Sequence, residues 1–308
     1  RGCLSPATFF LNGKYLMSHE CGYTGFDVRL DNATGIRFGN TTSDQNVLTL
    51  RADASFGSGH WYEGGGIYRS VFLEHITPTH IVRDGLFVPP EGDGSSIEAS
   101  AELETTAPTS ASVTVRFSLF ETADDSKATA IATATSAAAH IPAAGNGTAI
   151  ASAFLKPPAG AVKLWTTKQP HMYSVLAEVL IDGAVVDTQR TAVGFRTTTF
   201  SGAEGKAPFT LNGDPIHFRG FSHHNSIGGL GVAIPERVQL FRVQASRAMG
   251  SNMWRMSHNP YDKALYDLLD VTGQMCWDEN RDYGAKYGSG VYAIAMRDMV
   301  KRGRNHAR

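Results

Sequence analysis

The sequence predicts a multidomain protein, mainly β and then α/β, in which two β-sandwiches precede the first units of a parallel strand-and-helix domain. Three observations predict it. From Thr8 to about Ile76, short apolar runs are broken by Asn-Gly, Gly and Asn-Ala-Thr-Gly turns, the pattern of an antiparallel sandwich. Over about residues 82–200 the period-two alternation continues with turn clusters between runs, and a stretch of that kind and length suits an immunoglobulin-like sandwich. After about Ser201, helical periods alternate with short apolar strands, which argues for parallel α/β units.

In chain order, Phe9-Phe10-Leu11-Asn12-Gly13-Lys14-Tyr15-Leu16 predicts a hairpin, and Val47-Leu48-Thr49-Leu50 a further strand. In the second sandwich, residues 112–120 and 174–180 alternate cleanly, while the Ala/Thr-rich stretch 128–139 predicts a plain solvent-facing strand pair. Pro235-Glu236 opens a helix whose Val238, Phe241, Ala245 and Met249 share one face, and Gly250 closes it. A strand over 252–255 follows. A second helix over 261–272 carries Leu265, Leu268, Leu269 and Thr272 on one side, ends at Gly273 and leads into a strand over 274–278. A third helix over 291–302 puts Val291, Ile294, Ala295 and Met299 together.

With 308 residues, 42% hydrophobic and 19% charged, the composition is that of a soluble globular protein rather than a disordered or fibrous one. The formal net charge of -1, spread along the chain, gives no reason to expect nucleic acid or an anionic membrane as partner, so a neutral ligand is expected. No apolar run approaches the ~18 residues of a membrane span, and no sequence of signal type opens the chain. Three cysteines, Cys3, Cys21 and Cys276, lack metal spacing; they are read as thiols, with a Cys3–Cys21 bridge as the alternative. Sequons at Asn32, Asn40 and Asn146 tilt the expected location towards a secretory or extracellular route.

Four separated segments carry a resemblance. They are Trp61-Tyr62-Glu63-Gly64-Gly65-Gly66-Ile67-Tyr68-Arg69; Val193-Gly194-Phe195-Arg196; Phe209-Thr210-Leu211-Asn212-Gly213-Asp214-Pro215-Ile216-His217-Phe218-Arg219-Gly220; and Asn252-Met253-Trp254-Arg255-Met256-Ser257-His258-Asn259-Pro260 with the following run 270–280. In this order and at these separations the chain resembles family 2 glycoside hydrolases of the β-galactosidase type, with Glu63 standing where Pro is usual. The resemblance implies a jelly-roll sugar-binding domain over 1–80, incomplete at its start, an immunoglobulin-like sandwich over 81–200, and the beginning of a (β/α)8 barrel over 201–308. That last stretch is less than half of the roughly 250 residues a closed barrel takes, so a barrel stub is expected, covered by another chain or by a remainder of the polypeptide.

Barrel strand ends project polar groups into one shared pocket. By resemblance, Arg255 keeps a nucleophilic carboxylate ionised, whereas His224 and His258 contact sugar hydroxyls. The structural alternatives are an ion pair for Arg255 and a helix cap for His258; His223 is read as structural. His60 is a further candidate, reaching from the first domain, or else a surface loop residue. Asp278 and Glu279 look like the paired carboxylates of a retaining glycosidase, which stand about 5–5.5 Å apart. Adjacent strand residues point to opposite sides of a sheet, so no catalytic residue is assigned in this chain. Asn280 and Asp282 are left to contact substrate or a divalent ion such as magnesium, the one cofactor left open, although the acidic and His ligands that some relatives use are not matched. No zinc site is expected.

The function implied is therefore part of a retaining exo-β-glycosidase acting on terminal β-galactosides, with its general acid/base and nucleophile expected beyond Arg308 and the chain inactive alone. The alternatives are a non-catalytic carbohydrate-binding or scaffold subunit derived from such an enzyme, and an unrelated β-rich structural protein.

Overall fold

The structure, a computed structural model, describes residues 3–4, 7–30, 35–54, 64–121, 129–200, 209–280 and 289–307. His60, Trp61, Tyr62, Glu63, Asp282 and the sequon residue Asn32 lie outside the described residues.

The first segment contains β1 (Cys3–Leu4), β2 (Ala7–Leu11), β3 (Lys14–His19), β4 (Leu48–Ala52) and β5 (Gly66–Ile67). The hairpin read from Asn12-Gly13 is present, both turn residues having φ > 0 (51° and 81°), as a two-residue hairpin turn requires. β3, β2 and β4 form one antiparallel sheet in that order, and β1 pairs with β5. Ala7, Phe9 and Leu11 alternate inward. Cys21 is buried and not in a disulfide, so the Cys3–Cys21 bridge does not form.

The immunoglobulin-like sandwich follows as β6 (Thr79–Phe87), β7 (Ile97–Thr105), β8 (Ala111–Phe120), β9 (Ala132–Thr135), β10 (Ala139–Ile141), β11 (Ala149–Leu155), β12 (Tyr173–Ile181) and β13 (Ala184–Val193). One sheet has the order β10-β8-β12-β13, with β9 also on β8; the other has the order β11-β7-β6. β8 shows why the sandwich forms: Val115, Phe117 and Leu119 are fully buried, while Arg116 points outward to a two-pronged bond with Glu178 on β12 (2.7 and 2.9 Å). Each such apolar side chain contributes about 1.5–3 kcal/mol on burial. The Ala/Thr-rich stretch departs from expectation. β9 and β10 do not pair with each other; both lie along β8 as one interrupted edge strand. Ser136, at the break, explains this, since its hydroxyl and amide take over the bonds of Val115 that a continuous strand would make.

The third segment opens with β14 (Thr198–Phe200), β15 (Phe209–Leu211) and β16 (Asp214–Pro215), an antiparallel sheet turned at Asn212-Gly213. Then come β17 (Gly220–His224), α1 (Glu236–Ala248), β18 (Met253–Ser257), α2 (Lys263–Thr272), β19 (Met275–Trp277) and α3 (Ser289–Gly303). β17, β18 and β19 are parallel neighbours in that order. α2 is capped by Asp262, which accepts from the Ala264 amide at 2.9 Å, and is stopped by Gly273 at φ 71°. It buries Leu265, Tyr266, Leu269 and Asp270, so the covered face is rotated slightly from the one read off its leucines.

Two helix faces differ from expectation. α1 buries Gln239, Val243 and Ser246, leaving Phe241 and Met249 about two-thirds exposed (67% and 66%); on α3, Ile294 is 58% exposed and Ala295 is buried. Apolar spacing shows that a helix forms, but the face that is covered depends on neighbours. Among the described residues α1 packs on α2, and on Trp254 and Met256 of β18, through the side that carries Val243.

The sandwich is welded to the α/β segment. Trp165, fully buried, donates its indole N–H to the Asp270 carbonyl at 2.8 Å and packs with Leu211, Met275 and Ala307. Gly194 accounts for the small residue in the Val-Gly-Phe-Arg motif, because a Cβ there would stand 2.7 Å from Ala307 and 3.0 Å from the Trp165 ring. Past α3, the Asn305 amide group bonds the Leu86 carbonyl and the Val88 amide, and buried His306 pairs with buried Asp270 at 2.5 Å. No helix among the described residues is long and apolar enough to cross a membrane.

Candidate functional site

Alternation along three parallel strands sorts the side chains near their C-terminal ends. Ser222, Arg255 and Trp277 are register partners and share one side of the sheet. Two residues further along, His224, Ser257 and Glu279 face the same way, while His223, Met256 and Asp278 face the helices.

The contacts follow this division. Arg255 donates from Nε to Glu279 Oε1 at 2.6 Å and from Nη1 to the Ser222 hydroxyl at 3.0 Å. His258, in the turn after β18, places Nδ1 2.7 Å from Glu279 Oε2. The His224 and His258 rings meet edge to face at 5.5 Å. Arg255, His258 and His224 therefore come together around Glu279. Asn280 follows Glu279 directly and is half-buried. His60 lies outside the described residues. Among the described residues no group of three His, Cys, Asp or Glu side chains is placed to hold a metal ion.

On the opposite face, Asp278 accepts from the Tyr266 hydroxyl through both carboxylate oxygens, at 2.9 Å each. The two neighbouring carboxylates are thus turned to different sides of the sheet, one to the helix layer and one to the strand mouth. His223 stacks on the fully buried Trp254, with ring centroids 3.4 Å apart and planes 9° from parallel. Burial, reinforced by the Arg242 charge, pushes its pKa down to about 4. It is a neutral packing element, held while Tyr261 donates to its carbonyl at 2.5 Å.

The turns carrying the histidines are fixed from outside. Asn225 donates to Asn259 at 3.3 Å, both buried, tying the turn after β17 to the turn after β18. Arg69 comes from the first segment, is 5% exposed, and its two terminal nitrogens donate to the carbonyls of Tyr23 (3.0 Å) and Pro260 (2.7 Å). Its neighbour Tyr68 is half-buried, and desolvation of its hydroxyl raises the pKa to about 12. Arg69, at the end of the glycine-rich motif, thus buttresses the turn that bears His258. The sequence marks Arg69 only as a motif residue, and Ser222 and Asn225 only as members of the 222–225 run, without a role of their own. Ser222 was detectable, since it precedes His224 by two positions and so faces the same side; the partners of Arg69 and Asn225 are distant in sequence and gave no signal.

The mouth can bind hydroxyl groups. It offers imidazole, hydroxyl and amide groups around the Arg255–Glu279 ion pair, the kind of convergent polar set found at the C-terminal ends of parallel barrel strands.

Residues 79–196 match the family model "Glycosyl hydrolases family 2", and residues 205–307 match "Glycosyl hydrolases family 2, TIM barrel domain". The β-galactosidase BoGH2A of Bacteroides ovatus is 28% identical over 99% of this chain and 35% of its own length. A β-glucuronidase of Formosa agariphila is 24% identical over 97% of this chain and 32% of its own. The crystal structure of a family 2 glycosyl hydrolase from Bacteroides cellulosilyticus superposes with a TM-score of 0.86 at 27% identity, covering 99% of this chain and 40% of that one. The chain spans roughly a third of the length of the curated relatives it matches.

Proposed function

The chain belongs to glycosyl hydrolase family 2, and from that premise we propose that it forms part of a retaining exo-β-glycosidase that hydrolyses terminal β-galactosides. Its part is to bind and orient the terminal sugar. The observation that carries the proposal is the grouping of Arg255, His258 and His224 around Glu279 at the ends of three parallel strands.

In such an enzyme one carboxyl protonates the leaving oxygen while a second attacks the anomeric carbon, and water then releases the sugar. We assign both carboxyls to residues beyond Arg308. Asp278 is turned away to Tyr266, and both carboxylate oxygens of Glu279 are already engaged by Arg255 and His258. Arg255 supplies positive charge at the mouth, favouring the ionised form of the attacking carboxylate; His224, His258 and Asn280 bind sugar hydroxyls, and His60 belongs to the same proposed set.

The expected substrate is a neutral sugar rather than a uronate. The residues around 222–225 and 257–260, read by resemblance, point to galactose. The covering of the exposed faces of α1 and of the three-stranded sheet is assigned to the remainder of the barrel or to another chain.

The test is turnover of aryl β-galactosides and aryl β-glucuronides, by the 308-residue chain alone and by the longer protein that carries it. The proposal expects no turnover by the short chain and preference for the galactoside by the long one. Hydrolysis by the short chain would place the catalytic carboxylates within it and overturn the assignment.

A further inference from the structure

His224 and Ser257 are the last register pair of β17 and β18, and the turn Asn259-Pro260-Tyr261 that follows brings the chain back beneath them. The Tyr261 side chain is 1% exposed and belongs to the core of Val243, Trp254, Leu265 and Leu269. Its own amide donates to the Tyr266 hydroxyl at 3.3 Å, so the residue is held at its backbone as well as by its ring.

From this fixed position the Tyr261 hydroxyl reaches two strand-end carbonyls, donating to His223 at 2.5 Å and, more weakly, to Ser257 at 3.3 Å. The nitrogens of those two peptide groups belong to His224 and His258. One phenolic proton shared between the carbonyls therefore ties the backbone entering one histidine to the backbone entering the other. Burial pushes the hydroxyl pKa well above its ordinary value, so the group stays a donor. Arg242 on α1 holds the exit from His224, donating from Nη2 to its carbonyl at 2.9 Å. At the mouth itself Glu279 fixes the His258 ring through Nδ1, and the two rings meet edge to face at 5.5 Å. A ring contact sets where an imidazole ends; the peptide sets where it starts. A pair that binds hydroxyls needs both, because a binding constellation works only when supporting hydrogen bonds hold it to within about 0.5 Å.

We propose that Tyr261 is a positioning residue for the sugar site: its hydroxyl sets the two peptide planes from which His224 and His258 project, and so fixes the spacing of their imidazoles. The proposal rests on the assignment of those two histidines to sugar hydroxyls.

The test is Tyr261→Phe in the longer protein that carries this chain, which keeps the ring in the core and removes only the hydroxyl. Galactose binding is followed by calorimetry and the imidazoles by NMR after selective labelling of the histidine rings. The proposal expects the dissociation constant to rise about 10-fold. In a His224→Ala, His258→Ala background the same substitution should change it less than about 2-fold, because the hydroxyl acts through those side chains. Tyr173→Phe, which removes a buried hydroxyl bonded to the Lys163 amide in the sandwich, should leave the affinity unchanged. The ring signals of His224 and His258 should move in Tyr261→Phe while those of His140 and His171 stay. Unmoved His224 and His258 signals overturn the proposal, as does a loss of affinity that persists in the double-alanine background, which would mark a merely structural hydroxyl. A native protein without galactose affinity overturns the reading of the site instead, and the ring signals then decide the backbone anchor by themselves.

Discussion

Glu279 Oε1 accepts from Arg255 Nε at 2.6 Å, and this ion pair is the pivot of the strand mouth, since the other oxygen of the same carboxylate lies 2.7 Å from His258 Nδ1. Glu279→Gln keeps the shape and removes the charge. Hydrogen bonds to charged groups contribute roughly 1.5–3 kcal/mol, so galactose affinity measured by calorimetry on the longer protein should fall about 10- to 100-fold. Stability should hardly change, by about 1 kcal/mol, because Arg255 is 46% exposed and solvent screens the pair.

Arg69 acts at a distance from the mouth by bridging two carbonyls that belong to different segments. Arg69→Lys retains charge but cannot span both acceptors. A loss of about 2 kcal/mol in urea unfolding is expected, the range for one charge-assisted bond left unmade in a buried site. Sugar affinity should also drop, because the turn that bears His258 loses its support.

The His306–Asp270 pair is buried at both ends, 6% and 2% exposed. Removing one partner strands the other, which costs about 3–5 kcal/mol for a buried pair. His306→Ala should therefore be among the most destabilising single substitutions in the α/β segment, read as a shift of the urea midpoint. Lys263→Ala, which breaks an exposed pair with Asp267 on α2, should change it by less than about 0.5 kcal/mol.

His223 predicts a pH dependence. Its folded pKa is about 4, lowered by burial and by Arg242, against an ordinary value of 6.5. Between these values the unfolded chain binds a proton that the folded one refuses, so the contribution of His223 is complete above pH 6.5 and is lost as pH falls towards 4. Thermal midpoints should decline across that window, and His223→Phe should flatten the decline while keeping the stack on Trp254.

Much of the architecture was legible because it rests on local rules. Asn12-Gly13 and Asn212-Gly213 turn where their dipeptides say, Asp262 and Gly273 bound α2, and period-two runs became β8 and β12. The opposite orientation of Asp278 and Glu279 was likewise readable from strand alternation alone. What could not be read depends on long-range partners. The buried face of α1 centres on Val243 against α2 and β18, not on Phe241 and Met249, which spacing alone groups with Val238 and Ala245. The interrupted edge strand of β9 and β10 hinges on one serine that finds Val115. Arg69 reaches Pro260 across the fold, and no local pattern records that.

The most direct test of the central claim is hydrolysis of an aryl β-galactoside by the longer protein that carries this chain, with the anomer first released followed by NMR, for the native sequence and for Arg255→Ala. The account predicts release of the β-anomer and a loss of at least about 100-fold in kcat/KM for the variant, about 2.7 kcal/mol of transition-state stabilisation. Release of the α-anomer, or an Arg255→Ala variant as active as the native protein, would contradict it.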